Sequence, residues 1–413
     1  MTRPWTPWRT IVAFGMVSLA ADMVYEGMRS VAGPYLGSLG ASALTVGLVT
    51  GAGEAVALVL RLVAGPYADR TGAHWRLTTI GYALTAGCVP LLAVAPFLGS
   101  AGVAVASLLV LAERTGKAVR SPSKSALLAG MTVPVGRGRG FGVHKALDQV
   151  GAFAGPLVVA GVAAATGRVW LAFVVLAVPG LVSLVLLARL RRHAPVVEPP
   201  RTPARDTPRR WRPQRLPREF TLFAASSAAS TLGLMTFGVI SYAAVEQGLV
   251  RLAVVPVVYA GAMAVAALGA LATGLAYDRV GPRVLLLLPP LVALVPALVF
   301  SERLGVVLAG VAAWGLATGI QDSTVKALVA DLVPAGALGS GYGVFASGQG
   351  VAALAGGGLA GALYADHPTA LVTVVGVAQV VAWLLLLPAT RGSASHGETN
   401  RRRGLRTTKS GRP

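Results

Sequence analysis

Three ionisable residues, Asp22, Glu26 and Arg29, stand in the first long apolar stretch of the chain, IVAFGMVSLAADMVYEGMRSVAGPYL. Spacings of four and three put all three on one face of a helix. A second stripe lies in LLVLAERTGKAVRSPSKSALLA, where Glu113, Lys117, Arg120 and Lys124 recur at i, i+4, i+7 and i+11, with Arg114 beside Glu113. Acids set among bases in a low-dielectric medium have coupled proton affinities. Asp22, Glu26 and Glu113 are therefore candidates to take up and release protons. Arg29, Arg114, Lys117 and Arg120 are candidates to line a polar cavity. The competing reading of Asp22 and Glu26 is a fixed ion pair that orders helix packing. Glu54, Asp148 and Asp322 are secondary candidates, and His144, one turn before Asp148, could pair with it. Lys124 and Arg61 are expected to snorkel toward a membrane surface.

The surroundings of these groups are hydrocarbon. Hydrophobic residues make up 54% of the 413 and charged residues 13%, about half the charged fraction of a soluble domain. Apolar runs long enough to cross a bilayer as helices recur throughout. Twelve spans are expected, near 11–37, 44–64, 77–97, 101–129, 141–163, 169–190, 220–245, 252–273, 284–300, 304–332, 341–364 and 369–388. Alternating ten-residue strands do not recur, which argues against a membrane barrel. Asp22 would lie about 17 Å along its span from Ile11, near the midplane, and Glu113 at a similar depth. A charge there costs at least about 2.5 kcal/mol, so it implies a partner or a wet path.

The net charge of +20 is not a nucleic-acid footprint, because the basic residues crowd one face of the expected topology. The opposite face carries only Arg168, Arg251 and Arg303. That asymmetry puts both termini in the cytoplasm and the chain in the plasma membrane. The excess sits in a Pro- and Arg-rich linker, 191–219, and in a tail, 391–413. Both are expected to be unstructured and to meet anionic lipid headgroups. The linker separates an N-terminal six-helix bundle (1–190) from a C-terminal one (220–390). The first span is too long and too charged for a cleaved signal peptide. One cysteine, Cys88, leaves no internal disulfide and no cysteine metal cluster. No metal, no cofactor and no nucleophile–base pair is expected, so an enzyme is disfavoured.

The two halves are duplicates. GPYADRTG (65–72) between spans 2 and 3 is echoed by GLAYDRVG (274–281) between spans 8 and 9. Gly65, Asp69, Arg70 and Gly72 match Gly274, Asp278, Arg279 and Gly281 at one constant offset. SALLAGMTVPVGRGRGFGVH (125–144) likewise parallels KALVADLVPAGALGSGYGVF (326–345), with one gap. Parallel six-helix repeats are a known transporter plan. The glycines are expected to allow a tight reversal. Asp69 could cap the next helix, and Arg70 could pair with a carboxylate or free carbonyls.

At these residues the chain resembles the major facilitator superfamily, whose signature loop reads G-x-x-x-D-R-x-G-[RK]. The first copy departs from it at Ala73 and His74, and Arg76 stands nearby. The resemblance covers nearly all of the chain outside linker and tails. It implies an all-α membrane fold of twelve helices in two pseudo-symmetric bundles, with helices 1, 4, 7 and 10 around a central cavity and the signature loops acting as gates. Trp314 and Gln321 in span 10 join the cavity candidates, with the neutral Ser226, Ser227, Ser230, Thr231 and Thr236 of span 7. Arg114 and Gly116 loosely fit the family's Arg and Gly in helix 4. In span 5, Gly142, Gly151, Gly155 and Pro156 resemble the antiporter motif of drug–proton antiporters, with Val159 and Ala160 where its closing glycines would stand. Small residues there permit close helix approach, and Pro156 would bend the helix.

The expected function is secondary transport of a small organic solute by alternating access, as proton-coupled efflux by a monomer. The alternatives are a carrier for an anionic metabolite, drawn by Lys117 and Arg120, and a non-transporting scaffold.

Overall fold

The computed structural model describes residues 5–194, 216–334 and 338–407. Most of the linker and the last residues of the tail lie outside them, so the expectation of lipid contact there is neither met nor opposed. The described residues are almost all helical and contain no strand.

Fifteen α-helices follow in order. They are α1 (Pro7–Ser38), α2 (Ala43–Val59), α3 (Arg61–Thr71), α4 (His74–Leu91), α5 (Gly102–Thr132), α6 (Arg137–Thr166), α7 (Val169–His193), α8 (Arg218–Leu234), α9 (Phe237–Glu246), α10 (Val255–Val280), α11 (Leu288–Val299), α12 (Leu304–Asp322), α13 (Thr324–Leu332), α14 (Leu338–Leu363) and α15 (Pro368–Thr407). Nine segments among the described residues are long and apolar enough to cross a membrane. One of them, Val255–Val299, covers two of the expected spans. The heavily charged α5 and the glycine-rich α14 are not among the nine.

Local chemistry accounts for the boundaries. Thr6 and Ser42 cap α1 and α2 by accepting from Arg9 N–H and Thr45 N–H, which satisfies donors that a helix start leaves open. Two expected spans are broken. α8 ends at Met235, whose φ of 46° is the one positive value among the described non-glycine residues. The freed Met235 carbonyl accepts from Trp314 Nε1 at 3.2 Å. α12 and α13 are separated at Ser323.

The signature segments are helical where a turn was expected. Residues 65–71 are the last turns of α3, and 274–280 end α10. The reversals come only at Gly72 and Gly281, with φ of 66° and 70°, a region that L side chains avoid. Gly65 and Gly274 are ordinary helical glycines, with open space or normal contact where a Cβ would sit.

The chain forms two compact units. Unit 1 comprises residues 1–212, 236–260 and 353–362, and unit 2 the remainder. Unit 1 thus takes α9, the start of α10 and part of α14 from the second half of the sequence. α1 is its axis, packed against α6, α7, α9 and α5. Its buried core includes Val24, Met28, Tyr35, Val46, Phe173 and Leu176. In unit 2, α8 packs on α15 and α11 on α12.

Candidate functional site

Two polar networks flank α1 inside unit 1. The first gathers Glu26 and Arg29 of α1, Glu54 of α2, Arg114 of α5 and Tyr259 of α10. Glu54 Oε1 accepts from Arg29 Nη2 at 3.0 Å and lies 3.1 Å from Arg114 Nη2. One carboxylate therefore bridges two guanidinium groups. Tyr259 donates its hydroxyl proton to Glu26 Oε2 at 2.5 Å and accepts from Arg29 Nη1 at 3.2 Å. Arg29 Nη1 is itself 3.8 Å from Glu26 Oε2. Arg114 also donates to the hydroxyl of Tyr25, which is fully buried. Charge-assisted bonds of this kind are about twice as strong as neutral ones. The side chains of Arg29 and Glu54 keep 23% and 27% of their surface exposed, so the network is not sealed in dry packing.

Close backbone approach adjoins this network. A Cβ on Gly33 would collide with the Gly238 carbonyl oxygen, and Gly47 and Gly357 would collide with each other's carbonyls. Thr50 and Thr236 share a hydrogen bond of 2.7 Å beside the seam. Only glycines allow α1 and α2 to sit this near α9 and the 353–362 segment.

The second network runs along the other side of α1. Glu113, fully buried, accepts from Thr85 Oγ1 at 2.9 Å. The same hydroxyl accepts from Arg120, whose Nη2 is 3.7 Å from Asp22 Oδ1. Asp22 is in hydrogen-bond reach of Asp148 on α6. Asp148 holds Lys124 at 3.5 Å and Lys145 at 2.8 Å. Lys124 also donates to Ser18 Oγ at 3.2 Å, and Ser18 is 3.0 Å from both Tyr82 OH and His144 Nε2.

Several expectations need correction on this geometry. Lys124 bonds inward to Asp148 and Ser18 rather than snorkelling, because buried acceptors are nearer than any surface. His144 pairs with Ser18, not with Asp148, whose oxygens are taken by two lysines. Arg120 is 3% exposed and committed to Asp22 and Thr85, so it does not line an open vestibule. Lys117 is the available cation. Its Nζ stands 3.3 Å from the centroid of the Tyr25 ring, a cation–π contact, and it makes no ion pair among the described residues. Buried Arg114 Nε and Glu113 Oε2 have no hydrogen-bond partner among the described residues.

Asp69 caps no helix. Its Oδ1 faces the buried His74 across the Gly72 turn at 3.7 Å. Arg70, Asp278 and Arg279 are exposed at helix ends, and Arg70 has no ion pair among the described residues. Gly151 and Gly155 press α6 against the Leu19 and Met23 carbonyls of α1, while Gly142 faces open space. α6 runs through Pro156 as one helix to Thr166.

In unit 2, Trp314 is buried on Met235, and Gln321 donates to Thr231 Oγ1 at 3.2 Å. Asp322 is exposed. Ser226, Ser227 and Ser230 line a small cleft with Phe223 and Leu386. The sequence reading missed Tyr259, Tyr25, Thr85 and Ser18. Tyr259 had a signal, since it is a lone hydroxyl within the apolar run VVPVVYAGAMAV.

The major facilitator superfamily model matches residues 10–301 and 257–410. The chain belongs to that superfamily. It is a multi-pass integral membrane protein and a transporter of small molecules, not an enzyme. Uncharacterized proteins of Mycobacterium bovis and Mycobacterium tuberculosis are each 48% identical over 392 residues, covering 93% of this chain and 94% of theirs. Among solved structures, a peptide transporter of the POT type superposes with a TM-score of 0.73 at 17% identity, covering 93% and 94% of the two chains. The nucleoside transporter NupG gives 0.69 at 12%, covering 92% and 99%. At these identities the likeness is one of fold.

Proposed function

We propose that this transporter exports a small organic solute in exchange for protons, by alternating access, from a plasma membrane in which both termini are cytoplasmic. The observation that carries the reading is the bond between Glu26 and Tyr259. It ties an acid on the cavity helix to the segment that closes against α1 at the glycine seam. A proton on Glu26 weakens its hold on Tyr259 and Arg29 and frees the seam to part. Loss of the proton restores the clasp, so proton occupancy and seam closure are linked. The signature ends of α3 and α10 would then serve as hinges at Gly72 and Gly281, and a monomer suffices.

The test is flux in proteoliposomes, with a panel of labelled solutes and an imposed pH gradient. Wild type should move at least one solute in response to the gradient. Glu26→Gln should lose that response and retain downhill exchange. Gradient-driven flux that survives in Glu26→Gln would overturn the reading.

A second reading, a carrier for an anionic solute, is favoured by Lys117 and by the unpartnered Arg114 Nε. A carboxylate or phosphate could draw Lys117 off the Tyr25 ring and take the open Arg114 donor. Lys117→Gln should abolish transport of an anion and spare a neutral solute.

A further inference from the structure

The glycine stripe of α6 and the acid at its cytoplasm-proximal end have so far been treated apart. On the structure they are one device. Gly151 and Gly155 bring α6 so close to α1 that a Cβ at either would strike the Leu19 or Met23 carbonyl. Gly15 returns the contact against Leu147. Asp148 lies one turn before Gly151, and this close spacing sets its carboxyl against that of Asp22.

Two ionised carboxylates have only acceptors, so a hydrogen bond between them needs a proton on one. The groups facing the pair are Arg120, Lys124 and Lys117 from α5, His144 and Lys145 from α6, and Tyr82 from α4. Arg120 reaches Asp22, and Lys124 and Lys145 reach Asp148. Without the shared proton, the pair's two negative charges are matched by Arg120 and Lys124. With it, one of those cations is left in excess. Lys145 is 66% exposed, so Asp148 has a route to the aqueous phase that Glu113, fully buried at the other end of the chain of contacts, lacks.

We propose that Asp22 and Asp148 hold one proton in common and exchange it with water on the Lys145 side, the α6 glycines setting the helix spacing that makes the pair. The proton passes from a carboxyl oxygen to water and back, and no other bond changes. The inference rests on the proton-coupled reading for its use in transport, though not for the existence of the pair. It assigns the proton to Asp22 with Asp148, and leaves Glu26 as the clasp on Tyr259.

Infrared spectroscopy of the purified protein in lipid, titrated with pH, reads the protonated-carboxyl stretch directly. Wild type should show a band that Asp22→Asn and Asp148→Asn each remove, and that the double variant reduces no further. Glu26→Gln should keep it. Gly151→Ala leaves every carboxyl in place while forcing α6 away, and it should shift the band even if the Asn variants fold poorly. A band that survives either single substitution, losses that add in the double variant, or a band unmoved in Gly151→Ala would overturn the proposal. Flux separates the two readings. Gradient-driven transport in wild type with the band absent removes the pair and leaves proton coupling. The shared band in a protein with no gradient-driven transport removes coupling and leaves the pair.

Discussion

α5 and its repeat partner, the α12–α13 segment, occupy the same place in the two halves of the sequence and have opposite chemistry. α5 is one helix of 31 residues carrying Glu113, Arg114, Lys117, Arg120 and Lys124. The partner breaks after 19 residues at Ser323 and offers Trp314 and Gln321, both satisfied by neutral acceptors. Duplication fixed the helices and left the polar side chains free to diverge. Charge has gathered where every member finds a counter-charge on α1, α2 or α6. An ion alone in hydrocarbon would be too costly to keep, so charges accumulate in clusters or not at all.

The comparison breaks most severely at Glu54. It is the one carboxylate shared by Arg29 and Arg114, so Glu54→Gln strands two guanidinium groups. Removing one partner of a buried pair costs about 3–5 kcal/mol, and partial exposure of Glu54 puts the expected loss at the low end. Thermal unfolding in detergent should show it as the largest drop among polar substitutions in the protein. A loss no larger than for a surface acid such as Glu219 would mean that the cluster is not what keeps charge in α5.

Closure at the seam is the next largest effect. Gly33→Val places a side chain into the Gly238 carbonyl, so the conformation described here should become inaccessible. In a Cys88→Ser background, a cysteine at Thr50, 9% exposed, should react slowly with a membrane-impermeant maleimide. Adding Gly33→Val should speed that reaction at least about tenfold, a shift of roughly 1.4 kcal/mol in the opening equilibrium. Tyr259→Phe should act in the same direction and more weakly. It deletes one hydroxyl between Glu26 and Arg29, and bonds to charged groups are worth about 1.5–3 kcal/mol. If Tyr259→Phe labels no faster than its parent, the clasp does not hold the seam.

Much of this was legible in the sequence, and for physical reasons. The ban on lone charges in lipid singles out Asp22, Glu26, Arg29 and the α5 stripe before any coordinates. The duplicated Asp-Arg segments pointed to a two-part helical transporter. Which acid meets which base was not legible, because it depends on helix rotation and spacing. His144 was set beside Asp148 by sequence distance, yet it turns to Ser18. The signature segments read as turns because glycine and proline punctuate them, yet helix continues to Thr71 and Val280. Pro66 costs little there, since a helix near its end has few bonds left to lose. The breaks at Met235 and Ser323 left no mark in the hydropathy, because a break inside hydrocarbon is tolerated once its open groups find partners.

The smallest effect is expected in the neutral half, and it is the sharpest control. Gln321→Leu deletes one hydrogen bond to Thr231 Oγ1, and a neutral bond contributes only about 0.5–1.5 kcal/mol. Stability should fall by no more than that. The pH dependence of gradient-driven flux should be unchanged, since no ionisable group near Gln321 feeds the α1 networks among the described residues. Solute preference, read as the ratio of rates across the labelled panel, is the quantity free to change. A moved pH profile in Gln321→Leu would show proton chemistry spread over both repeats, and the contrast between α5 and α12 would then be one of packing alone.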